Sequence, residues 1–493
     1  MRLYTTAEIR RIENEHAAHH PAVSLMQRAG EAAAQLAASM LDSGGRVLVL
    51  AGPGNNGGDA WVAARALQAT WHEVTVLALG IPNALEASAA RSAFLEQRGK
   101  VTGEWPRGKR FDLIVDGLLG IGLGRPVEGE IAALIDLANT SGTPVLALDI
   151  PSGLHADSGA AQGSAILATA TITFIGAKPG LFTADGPDHA GDVTVETLGI
   201  DDPAQGSAAM LLTRESVCSL VPRRSRNSHK GSNGSVGIIG GATGMAGAAV
   251  LAARAALLLG AGKVFQASLG EHNRDFDPMH PEIMLRKPRE LVDQKDLESL
   301  VAGPGLGTGD VAKNLMTTIV KLPIPLVIDA DALNLIAEWR ALQNALPKRE
   351  AATVITPHPG EAARLLDTDT ATIQADRVAA ARTLAQRFRA TVVLKGAGTV
   401  IASPDERWCI NSTGNPGLAS GGTGDVLAGM LGALIAQGLT AEDAARLGVC
   451  LHGAAADACV ELGVGPIGLT ASDVALAARE LINEWASPAP GTL

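Results

Sequence analysis

Aromatic side chains make up only 3% of this 493-residue sequence, with a single tyrosine. Its cores must therefore be built from Ala, Leu, Val and Ile, which a 46% hydrophobic content supplies in quantity. Cysteine is equally sparse. Cys218, Cys409, Cys450 and Cys459 form no Cys-x-x-Cys pair and no zinc spacing. A disulfide scaffold is excluded, and small buried hydrophobes in a reducing compartment are expected. Basic residues are not in excess: 40 Lys and Arg stand against 51 Asp and Glu, a net charge of −11, which argues against a nucleic-acid partner. The one basic cluster, Arg223-Arg224-Ser225-Arg226 with Lys230, reads as a solvated linker or a local phosphate contact. Long apolar runs are missing too. Val426 to Leu439 falls short of the roughly 20 residues a membrane span needs, and the N-terminus MRLYTTAEIRRIENEHAAHH has no signal-peptide core. The expectation is a soluble cytoplasmic protein with no membrane partner, and a symmetric homo-oligomer is the usual prior.

Glycine is abundant instead. The 57 glycines follow no collagen-like period and cluster in short loops between apolar runs, which suits α/β folds with ligand-binding loops. The length suits about two to four domains. In the first half, candidate strands at 46–51, 74–79, 112–116, 144–149 and 171–175 alternate with candidate helices such as 25–41 and 127–141. This predicts a Rossmann-like, doubly wound parallel sheet with ligands at the carboxyl ends of its strands. A break follows near 205–225, in a stretch rich in Pro, Ser, Gly and Arg. From Ser235 a strand, a glycine loop and an alanine-rich helix start again, with further strands at 298–302, 326–329, 353–356, 391–395 and 398–402. The domains expected are 1–212 and 213–493.

The first strand ends in AGPGNNGGDA, residues 51–60. Glycines allow close approach to the main chain, and a helix over 60–69 would turn its N-terminal amides on a polar ligand. The stretch matches neither G-x-G-x-x-G nor the phosphate loop G-x-x-x-x-G-K-[ST]. A tight turn without ligand competes, but two asparagines cost helix and strand propensity without structural need. DGLLGIGLGRP and DIPSGL end two more strands, so three polar loops share one sheet edge. In the second half the loops are AGPGLG, DADALN, TPHPGE, KGAGT and SGGTGDVLAG.

With these loops the first half resembles the NAD(P)H-hydrate epimerase domain, marked by Asn55-Asn56-Gly57-Gly58-Asp59. The second half resembles the ADP-dependent NAD(P)H-hydrate dehydratases, a ribokinase-like α/β group, marked by Gly421-Gly422-Thr423-Gly424-Asp425. The resemblance implies that hydrated NADH or NADPH binds to Asn55, Asn56, Gly57, Gly58 and Asp59. It implies the same of Gly120, Ile121, Gly122, Leu123, Gly124, Arg125 and Pro126. It implies a potassium ion held by Asn56, Asp116 and Ser152, with Asp59 helping to fix the loop. Asp149 is then the candidate acid or base for inverting C6, unless it caps a helix, and Lys178 is a weaker candidate. Relatives often carry a tyrosine after the second loop, where this sequence has Glu128, Gly129 and Glu130.

In the second half the resemblance implies hydrate contacts at Ala248, Gly305 or Gly307, His358 and Asp425. Adenine-nucleotide contacts fall at Lys395, Gly396, Ala397, Gly398, Thr399 and Gly424, and magnesium is positioned by Glu361, often through water. Asp425 takes the proton of the C6 hydroxyl as it is phosphorylated, and elimination then restores the ring. Plain capping competes at Asp425 and at His358. Asp329 and Asp331 are either site or turn residues, and His19, His20, His272 and His452 read as surface or structural. A small-molecule kinase of the ribokinase-like type, fused to a non-catalytic nucleotide-binding module, is the alternative function.

Overall fold

The computed structural model describes residues 1–20, 22, 24–200, 208–270 and 275–486. His272 and the 201–207 part of the expected break lie outside them. The chain divides into two compact units, Arg2–Ala209 and Met210–Leu493 together with Met1.

The first unit is built on seven strands: β1 (Arg46–Ala51), β2 (Glu73–Ala78), β3 (Lys100–Thr102), β4 (Leu113–Gly117), β5 (Val145–Leu148), β6 (Ala170–Phe174) and β7 (Asp192–Glu196). They run β3-β2-β1-β4-β5-β6-β7, every neighbouring pair parallel. The uninterrupted apolar run of β1 follows from cover on both faces. Val47 and Val49 pack with Ala33, Ala37 and Ala64 of the helices Leu25–Ser39 and Asn55–Ala69, whereas Leu48 and Leu50 pack with Leu134 and Ile135 of the helix Gly129–Thr140. Trp61, fully buried, stacks obliquely on Phe94 with ring centres 5.6 Å apart. The five strands expected here are present within a residue or so of their predicted ends. The short β3 and the half-exposed β7 were not expected, because their apolar content is low.

The second unit carries β8 (Ala209–Leu212), β9 (Ser235–Gly240), β10 (Lys263–Ser268), β11 (Met284–Arg286), β12 (Ser299–Ala302), β13 (Leu326–Ile328), β14 (Thr353–Ile355), β15 (Thr391–Leu394), β16 (Val400–Ala402) and β17 (Trp408–Asn411). Their order is β11-β10-β9-β12-β13-β14-β15-β16-β17-β8. Strands β9 to β15 and β11 pair in parallel, and β15-β16-β17 form an antiparallel meander. The helix Thr423–Ala436 is buried almost all round, which is why its sequence is apolar without a polar face. It packs on the helix Ala246–Leu258 and the sheet. No helix among the described residues is long and apolar enough to cross a membrane. Cys409, Cys450 and Cys459 are buried and Cys218 partly so, all as free thiols. In the basic cluster, Arg224 donates to the Gly260 carbonyl and to Gln437.

In both sheets the chain reverses its winding direction at one point, between β1 and β4 in the first and between β9 and β12 in the second. Loops leaving the carboxyl ends of those strands diverge to opposite sides and leave a crevice. Both candidate sites lie there.

Candidate active sites

The first site opens beside the helix Asn55–Ala69, which begins five residues earlier than the sequence suggests, so that the two asparagines and two glycines form its first turn. The reason is steric. A Cβ on Gly57 would stand 1.9 Å from the Gly52 carbonyl oxygen, and one on Gly58 would stand 2.5 Å from Met26 Cε. These glycines let the helix press against the end of β1 and against the helix Leu25–Ser39. They do not line the cavity, and neither does Pro126. The other expected contacts do: Asn55, Asn56, Asp59, Asp149 and Gly120 through Arg125 surround a cavity of about 1130 Å³. Gly54, at the N-cap, makes no side-chain cap bond. The positive end of a four-turn helix therefore faces the cavity, a favourable place for a phosphate.

Asn56, Asp116 and Ser152 come together from the first turn of the helix Asn55–Ala69, the end of β4 and the turn after β5. Asp116 is fully buried, and its Oδ1 and Oδ2 accept from Ser152 Oγ at 2.7 Å and Ser152 N at 2.8 Å. Asn56 Nδ2 donates to the carbonyls of Leu119 at 2.6 Å and Leu148 at 3.0 Å. That orientation is forced by the two acceptors, and it leaves Asn56 Oδ1 buried with no partner. Burial pushes the Asp116 carboxyl up to about 6, against hydrogen bonds from Ser152 and Leu118 that pull it down. An orphaned amide oxygen beside a buried carboxyl lacks a positive partner.

Asp149 does not cap a helix, since turns follow it. It sits at φ +65°, a conformation that costs a non-glycine residue energy and is kept where the surroundings dictate it. Its Oδ1 accepts from Phe174 N at 3.2 Å and from the Lys178 ammonium. Lys178 is wholly buried and also donates to the Phe174 carbonyl at 2.7 Å. It is thus a full member of the site. Asp59 does not fix its loop as expected: among the described residues its carboxylate accepts no hydrogen bond, and it lines the cavity instead. Burial raises its pKa well above the usual carboxylate range, and Asp149, Glu13 and Glu86 add to this. Arg10 and Glu13, on the helix Thr6–His19, close the far wall. Nothing in the sequence marks them, because that helix reads as an ordinary charged surface helix.

The second site, a cavity of about 480 Å³, is lined by Ala248, Gly305, Asp331, Gly422 and Asp425, among others. Gly422, at φ +92°, is the N-cap of the helix Thr423–Ala436. Asp425 lies in that first turn but makes no capping bond. Burial, with Asp329 and Asp331 nearby, raises its carboxyl to about 6, against the pull of Lys395. Asp331 lines this cavity and Asp329 does not. Asp329, buried, accepts from Lys395 Nζ at 2.6 Å. Asp331 accepts from Gly307 N at 2.8 Å. Burial lowers Lys395, but Asp329, Glu361 and Asp425 more than offset it, so it stays cationic.

His358 does cap a helix: its Nδ1 accepts from Gly360 N at 3.0 Å, and its own N–H donates to Glu361 Oε2 at 2.8 Å. The imidazole stays half exposed beside Glu361, and burial and then Lys395 lower its pKa. Glu361 is buried and raised by that burial, 4.0 Å from Lys395. Asp329, Glu361 and Asp425 thus share one lysine. Below the KGAGT loop, the buried Arg377 donates to the carbonyls of Leu394 at 3.1 Å and Lys395 at 3.2 Å. A Cβ on Gly396 would stand 2.8 Å from its guanidinium. A Cβ on Gly424 would meet Lys395 Nζ at 3.4 Å, an ordinary contact. His452, buried, bonds the Thr423 carbonyl at 3.0 Å and is structural, as expected.

Comparison with known proteins agrees with this division. Residues 22–180 match the family described as YjeF-related protein N-terminus, and residues 236–473 match NAD(P)H-hydrate dehydratase. A bifunctional NAD(P)H-hydrate repair enzyme of Coxiella burnetii is 39% identical over 98% of this chain and 99% of its own. One from Escherichia coli is 41% identical over 93% and 89%. An ADP/ATP-dependent NAD(P)H-hydrate dehydratase from Bacillus subtilis, co-crystallised with ATP and magnesium, superposes on 55% of this chain and 97% of its own, with 29% identity and a TM-score of 0.50. By these likenesses over its whole length, the chain belongs to the family of bifunctional NAD(P)H-hydrate repair enzymes.

Proposed function

We propose that this protein repairs hydrated NADH and NADPH with two active sites on one chain. The first interconverts the R and S epimers at C6, and the second dehydrates the S epimer at the expense of ADP. The observation that carries this is the pairing of two distinct strand-end sites. One is an anion-receptive helix N-terminus beside a Lys178–Asp149 pair. The other is a glycine turn ending at Asp425. A vitamin-precursor kinase with a passive first half accounts for only the second. Residues 1–212 form the epimerase and 213–493 the dehydratase. The division at Ala209 and Met210 and the two family matches support that assignment.

In the epimerase, the phosphate-bearing part of the substrate lies against the amides of Asn55 and Asn56 and the loop Gly120–Arg125, with the nicotinamide ring toward Asp149. Asn56, Asp116 and Ser152 would hold a potassium ion. The unpartnered Asn56 Oδ1 and the buried Asp116 suit it, and oxygen donors are the right chemistry. The ion would offset buried negative charge beside an anionic substrate.

In the dehydratase, Lys395 to Thr399 and Gly424 bind the adenine nucleotide. Ala248, Gly305, Gly307 and His358 bind the hydrate. Asp425 accepts the C6 hydroxyl proton as the oxygen takes the phosphoryl group. Phosphate is a far better leaving group than hydroxide, and loss of a C5 proton completes the ring. Glu361 would position magnesium. Three carboxylates around one lysine leave room for a cation. Among the described residues, however, no three His, Cys, Asp or Glu groups cluster as a complete metal site, so nucleotide phosphates and water complete its shell. Hydrated nicotinamide nucleotide and adenine nucleotide are the partners, and a homo-oligomer working in the cytoplasm is the expected setting.

The test is to supply both hydrate epimers with ADP and magnesium and to follow recovery of reduced-nicotinamide absorbance. Full recovery from the mixture supports both activities. Recovery that stops at the S fraction removes the epimerase. No recovery at all removes the dehydratase.

A further inference from the structure

Inverting C6 requires two things of the first site. The departing hydroxyl must receive a proton, and the cation left on the ring must be balanced by a fixed negative charge. One carboxylate does both poorly. Asp149 is held through one oxygen: Lys178, Phe174 N and Thr173 Oγ1 all donate to its Oδ1. The wholly buried Lys178 ammonium has Asp149 as its charged partner, and breaking such a buried pair is costly. Asp149 is therefore committed to Lys178.

Asp59 is the opposite case in the same cavity. Among the described residues no donor holds its carboxylate. The charged groups that face it are Glu13 from the N-terminal helix Thr6–His19, Glu86 from the helix Leu85–Glu96, Asp149, and the more weakly acting Lys178. Three of the four are acidic, and burial acts in the same direction, toward a bound proton.

We propose that Asp59 is the catalytic acid of the epimerase and that the Asp149–Lys178 pair is its electrostatic counterpart. The inference rests on the epimerase function given above. The Asp59 carboxylic acid gives its proton to the C6 hydroxyl. The C6–O bond breaks, its electron pair leaving with water, and the ring nitrogen lone pair fills the vacancy to give an iminium ion opposite Asp149. Water then adds to the other face of C6 and loses a proton that restores the acid, so atoms and charge balance with no other reactant. Glu13, which lines the same cavity and is likewise raised by burial and by Asp149, relays that proton back to Asp59 when water arrives from the far face.

The experiment uses the full chain without nucleotide, so that dehydration is silent, and follows purified R hydrate converting to S by chromatography. Asp59→Asn keeps size and removes the proton. Its kcat should fall by about 10²–10⁴-fold with KM little changed. For the unmodified chain kcat should fall as pH rises and Asp59 loses its proton, and the residual Asp59→Asn rate should lack that limb. Glu13→Gln should retain the limb at a lower rate. A normal kcat for Asp59→Asn, or a raised KM with kcat intact, would overturn the acid role while leaving the epimerase reading in place. An unmodified chain that cannot interconvert the epimers would overturn the reading itself.

Discussion

Asp425→Asn offers the sharpest test of the dehydratase chemistry. The side chain sits in the first turn after Gly422, in a cavity it shares with Ala248, Gly305 and Asp331. Asparagine keeps the volume and loses the basic site. A positioned base contributes roughly 10²–10⁴-fold, so kcat for S-hydrate dehydration should fall by about that factor at saturating ADP and hydrate. Nucleotide affinity should barely change, because the proposed role puts Asp425 at the acceptor hydroxyl rather than the adenine end. The pH profile adds an independent check. The carboxyl is raised to about 6 by burial and by Asp329 and Asp331, and a base works only when ionised. Dehydration should rise with pH through about 6 and level off near neutrality; at pH 5 about a tenth of the groups are ionised, so the rate should be about tenfold below its plateau. Epimerisation, carried by the other unit, should persist in the variant. A near-normal rate for Asp425→Asn, or a rate that does not change between pH 5 and 8, would remove Asp425 as the base.

Three further outcomes follow from the same geometry. Lys395→Met removes the cation that lowers Asp425, so the acid limb of dehydration should move to higher pH while the KM for ADP rises; steady-state kinetics across pH checks both. Replacing sodium by potassium should raise the melting temperature of the unmodified chain's first transition, by the equivalent of about 2.7 kcal/mol at a hundredfold excess over Kd, and Asp116→Ala should abolish that gain without changing dehydration. Gly57→Ala drives a Cβ to 1.9 Å from the Gly52 oxygen and should cost about 1–3 kcal/mol or more. Gly54→Ala meets nothing within 4 Å and should cost about 1 kcal/mol or less; differential denaturation of the two variants decides it.

Strand and loop positions are local properties, and the sequence by itself determined them. A buried parallel strand must be an unbroken apolar run such as Val47–Leu50, and the turn that ends it must be glycine-rich where another chain segment comes close. The same locality made Asn56, Asp149 and Asp425 legible, since the first two follow such a run and Asp425 stands between a glycine turn and an apolar helix. The alternation of runs and loops likewise announced two sheets, although not that β15 to β17 would turn antiparallel, because strand direction depends on connection geometry rather than on composition. Only the tertiary structure decided which charges meet. Lys178 and Asp149 are 29 residues apart, Lys395 and Asp329 are 66 apart, and Glu13 reaches the first cavity from a helix whose own pattern is that of a solvated surface. Tertiary structure also made Gly57 and Gly58 packing residues that do not line the cavity, and left Asp59 without a donor among the described residues, in a cavity it shares with an Asp149 that has three. The energy of a buried charge depends on its neighbours across space, and those neighbours come from segments whose sequences carry no mark of one another.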